Sequence, residues 1–183
     1  FEEAEKQLNG FSLPVVLKLI SQDAHNKTEI ASKAINSKEA LATAFADMNE
    51  NAKKRKLKVE NFLLQEFVNG LELIVSLKKD VTFEHVIMLG IGGAYAEALH
   101  DATFRVCPIN EEEAIKMIYD LKSKGLILDE RKKLNIEELQ KFLVKISKIP
   151  ARKDNISELY ISPLILNKEE AKVVDARIIF DSS

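Results

Sequence analysis

The sequence predicts an α+β protein built as two lobes of mixed or antiparallel sheet with flanking helices. Strand signals come first: Leu71, Leu73, Val75 and Leu77 alternate with Glu72, Ile74, Ser76 and Lys78, the period of a half-buried strand. Helix signals accompany them. Behind Ser37 stand Ala40, Leu41, Ala44, Phe45 and Met48, the spacing of one buried helical face below an N-cap. Between Val68 and Leu71 the pattern changes to longer antiparallel strands, which divides the chain into residues 1–69 and 70–183.

In the first lobe, residues 2–9 read as the tail of a helix stopped by Gly10. The acidic start at Phe1 reads as mid-element, so the lobe is expected to lack its N-terminal part. Pro14 opens a strand from Val15 to Ile20, followed by a polar loop to Glu29 and an apolar stretch from Ile30 to Ile35. The helix behind Ser37 ends in Lys53-Lys54-Arg55-Lys56, a solvated end that complements the helix dipole. Val59 to Val68 reads as a strand closed by Asn69-Gly70.

In the second lobe, Lys79-Asp80 turns the first strand back into His85–Leu89. Asn110 caps a helix whose first turn is Glu111, Glu112 and Glu113, and Gly125 is expected to end it. Asn135 starts another, with Ile136, Leu139, Phe142, Leu143 and Ile146 inward. A last hairpin is expected to pair Ile156–Leu166 with Lys172–Phe180, with Asp175 in mid-strand beside Arg177.

Composition excludes several classes. Of 183 residues, 46% are hydrophobic and 31% charged, and the net charge is −2, so no polyanion-binding surface or nucleic-acid partner is expected. Cys107 is the single cysteine, which rules out an internal disulfide and points to a reducing, cytoplasmic compartment. No apolar run approaches the roughly 20 residues of a membrane span.

Individual motifs leave alternatives open. Gly90-Ile91-Gly92-Gly93 follows a strand but matches neither the dinucleotide nor the Walker pattern. Such a turn either lets backbone N–H groups approach an anion or is a tight strand exit. Lys18 shares a strand face with Val16 and Ile20, where an ammonium either snorkels outward or meets an anion. Gln65-Glu66-Phe67-Val68 sits where the lobes join; it is a plain strand end or a hinge presenting backbone groups to an adenine. Glu158, Tyr160 and Ser162 share a strand face. Of His25, His85 and His100, only His25 is a candidate for chemistry.

The ordered set resembles the ATP-grasp domain of the beta side of ADP-forming acetyl-CoA (acyl-CoA) synthetases, in the superfamily of succinyl-CoA synthetase. The likeness runs through Pro14–Lys18, Leu64–Val68, Glu72–Val75, Gly90–Gly93 with Glu97, Asp101, Phe104-Arg105 and Pro108, then Glu158-Leu159, Pro163–Ile165 and Val174–Arg177. The resemblance implies a nucleotide, ATP or ADP with Mg²⁺, in the cleft between the lobes. Lys18 then holds the α/β-phosphates, Gln65, Glu66, Phe67 and Val68 form the adenine hinge, and Glu72 lies by the nucleotide. Asp175 carries Mg²⁺, with the Ser162 hydroxyl able to touch it. Arg105, Glu97 and the turn with Gly92 and Gly93 border the phosphate-transfer site. The implied activity is that of an acid–CoA ligase passing phosphate to a histidine on a CoA-binding alpha subunit. Against the family pattern, Asn26 replaces a loop histidine, Ala31-Ser32 a glycine pair, and Tyr160-Ile161-Ser162 an Asp-x-Asn. These departures define an alternative, an ATP-grasp module that binds nucleotide or a partner protein without catalysis.

Overall fold

A computed structural model describes residues 2–21, 34–152 and 155–181, without the side chains of Glu2, Tyr95, Glu97 and Ala98. The expected polar loop from Gln22 to Glu29 and the apolar stretch from Ile30 as far as Lys33 lie outside the described residues. The chain divides into two compact units, residues 1–67 and 68–183.

In the first unit, strand β1 (Val15–Ser21) pairs antiparallel with β2 (Val59–Glu66), Leu17 lying opposite Leu64. Val15, Leu17 and Leu19 are buried, while the alternate residues Val16, Lys18 and Ile20 are half-buried. The buried side packs with helix α1 (Glu2–Leu8) and helix α2 (Lys38–Lys54) around Leu8, Leu41, Met48 and Ala52. Ser37 caps α2 by accepting the Ala40 amide at 3.2 Å, and the solvated end carries a Glu50–Lys54 pair at 2.7 Å. β2 stops at Glu66 rather than Val68. The Phe67 amide still donates to the Pro14 carbonyl at 3.2 Å, but proline has no N–H to return and the ladder ends there.

The second unit is built on β3 (Leu71–Asp80), β4 (Glu84–Ile91), β5 (Ala102–Val106), β6 (Ile156–Leu166), β7 (Ala171–Val173) and β8 (Ala176–Phe180). The order is β5-β4-β3-β6, with β7 and β8 pairing successive parts of β6. One face carries Leu73, Val75, Leu77, Ile87, Leu89, Leu159 and Ile161. It packs with Met117 and Ile118 of helix α4 (Glu111–Asp120) and Leu139 and Leu143 of helix α5 (Ile136–Ser147). A four-residue helix, α3 (Ala96–Leu99), joins β4 to β5. Among the described residues, no helix is long and apolar enough to cross a membrane.

The second unit departs from expectation at three points. Helix α4 ends at Asp120, because Leu121 turns to an extended conformation and the next two amides leave the helix path. Lys122 N–H and Ser123 N–H donate instead to the Asp101 carboxylate, at 3.2 and 2.7 Å. Gly125 sits in a later turn where an added Cβ would meet nothing within 4 Å. Strand β5 was not expected, since its inward residues are the polar Thr103 and Arg105 while Phe104 and Val106 face out. Finally, Asp175 is not in mid-strand. It lies in the break between β7 and β8, opposite a register shift in β6.

Candidate functional site

Each sheet has a helix-packed face and a more exposed face, and the candidate residues sort between them. In the first unit, Lys18 lies opposite Leu63, and Val16 opposite Gln65. Lys18 and Gln65 are therefore diagonal neighbours on the exposed face, within reach of one bound group. Glu66 has the opposite parity and is exposed at the strand end, while Phe67 and Val68 are half-buried just beyond it.

In the second unit, the glycine turn and Glu72 form one structure. Gly92 N–H donates to the Glu72 carbonyl at 2.8 Å. A Cβ on Gly92 would stand 3.1 Å from the Glu72 carbonyl carbon, and one on Gly93 only 2.7 Å from Glu72 Oε2. Gly93 also has φ +62°, so both space and backbone require glycine there. The turn is seated against this carboxylate. A negative group at that place favours hydroxyl donors or cations as neighbours.

Ser162 and Asp175 meet through backbone irregularities on adjoining strands. Opposite Ile74, β6 inserts an extra residue around Ser162-Pro163, and Ser162 N–H donates to the Asp175 carbonyl at 3.1 Å. Bulges of this kind re-aim side chains. Nearby, Arg177 lies opposite Tyr160 and pairs with Glu158 at 3.2 Å. The sequence reading set Arg177 beside Asp175 but missed this partner, whose cross-strand register is invisible in a linear pattern.

Arg105 stands apart. It lies opposite Ile87, so it shares the helix-packed face with that buried residue, whereas Glu72 is on the other. Gly92 is five residues further along, about 17 Å at the rise of a strand. The Arg105 guanidinium donates to the Phe104 carbonyl at 2.7 Å and forms a short ion pair with Asp120. The geometry makes it a strut between β5 and the end of α4. His25, Asn26, Ala31, Ser32 and the Glu97 side chain lie outside the described residues. Among those described, no group of three His, Cys, Asp or Glu residues is placed to hold a metal on its own.

Comparison with known proteins adds identity to this geometry. The model of the ATP-grasp domain family matches residues 1–180. The beta subunit of the ADP-forming acetate–CoA ligase II of Pyrococcus furiosus is 35% identical over 188 residues, covering 97% of this chain and 80% of that protein. The dinucleotide-forming acetyl-coenzyme A synthetase 1 of Ca. Korarchaeum cryptofilum, solved with coenzyme A and Ca-AMPCP, superposes with a TM-score of 0.87 at 33% identity. That match covers 98% of this chain and 81% of the other. A second structure of the enzyme, with Mg-AMPPCP and its phosphohistidine segment pointing towards the nucleotide site, gives 0.79 at 31% identity over 98% and 82% of the two chains.

Proposed function

Because the chain belongs to the ATP-grasp family, we propose that it is the nucleotide-binding beta side of an ADP-forming acyl-CoA synthetase. The observation that carries this reading is the sorting of polar groups by face. Lys18 and Gln65 share the exposed face of one sheet, and Glu72 is locked under the Gly92-Gly93 turn of the other. Lys18 holds the phosphates, the 65–68 segment takes the adenine through its backbone, and Glu72 receives hydroxyls of the nucleotide. Phosphoryl transfer rests mainly on positioned charge of this kind. The phosphate acceptor is a histidine of a CoA-binding partner chain.

The residues present fit Mg²⁺ that arrives with a nucleotide. Asp175 and Ser162, joined by their backbones, offer one carboxylate and one hydroxyl. Mg²⁺ commonly takes only one or two carboxylates and draws its remaining ligands from phosphate and water. When bound, it neutralises charge on the phosphoryl oxygens.

Thermal melts with Mg–ATP and Mg–ADP test the reading. Saturating ligand at a hundredfold excess over Kd stabilises by about 2.7 kcal/mol, and Lys18→Ala is expected to abolish the shift. No shift with either nucleotide in the unaltered chain sinks the reading. A second reading, binding without transfer, draws on Tyr160: it lies opposite Ser76 and Arg177, a phenol on the strand that leads to Ser162. Incubation with γ-labelled ATP and the CoA-binding partner separates the two, since label on the partner histidine requires catalysis.

A further inference from the structure

Between Gly92 and Asp101 the chain makes a short 3₁₀ turn, Gly93–Tyr95, and the four-residue helix α3. So short a helix does not hold itself together, so its place depends on how the segment is tied at its ends. The near end is tied by Gly92 N–H on the Glu72 carbonyl, 2.8 Å. The far end is tied by Asp101. Its carbonyl receives the Ile91 amide at 3.4 Å, and a Cβ on Gly90 would sit 3.2 Å from the same oxygen. Its carboxylate accepts Lys122 N–H at 3.2 Å, Ser123 N–H at 2.7 Å and the Ser123 hydroxyl. One residue thus closes the loop onto β4 and onto the end of α4 together.

We propose that Asp101 is a positioning residue for the nucleotide site: its carboxylate clamp fixes the far end of segment 92–101 and so keeps Gly92 and Gly93 seated on Glu72. The role rests on the nucleotide-binding reading above. Asparagine replaces it only in part: its carbonyl can accept the two Ser123 donors, but its NH₂ then faces the Lys122 amide and the charge is gone.

The test compares Asp101→Asn with Asn110→Ala, a helix-cap loss that touches neither Glu72 nor the segment. Mg–ADP affinity is measured by calorimetry and amide exchange by mass spectrometry. Losing a charge-assisted clamp is expected to weaken Mg–ADP binding by about tenfold and to speed exchange in 93–99, while Asn110→Ala lowers Tm with affinity and exchange in 93–99 unchanged. Unaltered affinity and exchange in Asp101→Asn overturn the proposal. So does an equal affinity loss in both variants, which marks Asp101 as merely structural. An unaltered chain that binds no nucleotide overturns the functional reading instead, and the exchange data then decide the clamp by themselves.

Discussion

At Gly93 the backbone stands at φ +62° and an added Cβ would press on Glu72 Oε2 at 2.7 Å. Gly93→Ala is expected to cost about 1–2 kcal/mol from backbone strain and displacement of the carboxylate, read as a shift in urea midpoint, with nucleotide affinity falling alongside. Cys107 behaves in the opposite sense, as an inert group. Burial pushes its thiol up from 9.0 to about 11, against a lowering hydrogen bond from the Ile87 backbone. That shift cuts the thiolate fraction about a hundredfold, and the more basic thiolate recovers roughly half of the loss on a logarithmic scale. Alkylation by iodoacetamide near pH 8 is therefore expected to run about tenfold slower than for a free cysteine, with the ordinary rate restored in guanidinium. At this scale the sequence showed a glycine cluster behind an apolar strand but not what it touches. Glu72 precedes Gly92 by a whole hairpin, and only the β3–β4 register brings the two together. Arg105 shows the same limit. Its neighbour in a linear motif is the glycine turn, whereas in the sheet its partner is Asp120.

Helix α4 shows how an element's two ends differ in what a sequence reveals. Its start is local: Asn110 accepts the Glu113 amide at 2.9 Å and the Glu113 carboxylate accepts the Asn110 amide at 3.0 Å. This capping box was legible in four residues, and Asn110→Ala is expected to cost about 1 kcal/mol, measured by denaturant titration. The helix's end is set by Asp101, far back in the chain, and Gly125, the nearest local stop signal, lies beyond that end. Burial raises the Asp101 carboxyl, but the Ser123 hydroxyl, the Ser123 and Lys122 amides and the Lys122 charge outweigh it, leaving it below its usual 3.8. A carboxyl depressed by folding stabilises fully above its unfolded pKa, and that contribution is lost as pH falls through the lower folded value. The stability gap between the unaltered chain and Asp101→Asn is therefore expected to hold from about pH 6 down to about pH 4 and to close below it, followed by urea midpoints. Strand β5 shows no inward apolar alternation, because its inward positions are Thr103 and Arg105. The first is satisfied by the Met117 carbonyl at 3.0 Å and the second by Asp120, a polar interior suited to an edge strand. Residues 171–180 alternate smoothly through Asp175, and nothing local announces the shift in β6 that splits the partner strand there.

The described residues gather into two cores of unequal size. The first unit gathers Leu8, Val15, Leu17, Leu19, Ile35, Leu41, Met48, Ala52 and Leu64 over a two-stranded sheet, an arrangement that needs its helices to be stable at all. The second unit backs a six-stranded sheet with two amphipathic helices, and Leu73, Val75, Leu77, Leu89, Leu139 and Leu143 are fully buried there. A smaller core buries a smaller share of its chain's surface and is correspondingly marginal. Calorimetry is therefore expected to show two transitions, the lower one belonging to residues 1–67. Buried leucine truncations assign them. Leu41→Ala removes a fully buried side chain of the small core and should cost about 2–5 kcal/mol, moving the lower transition alone. Leu143→Ala does the same in the large core and should move the upper one. A single transition displaced equally by both substitutions would mean that the units unfold as one body. Mg–ATP held through Lys18 is expected to raise the lower transition, because ligand released when residues 1–67 unfold no longer stabilises what remains folded.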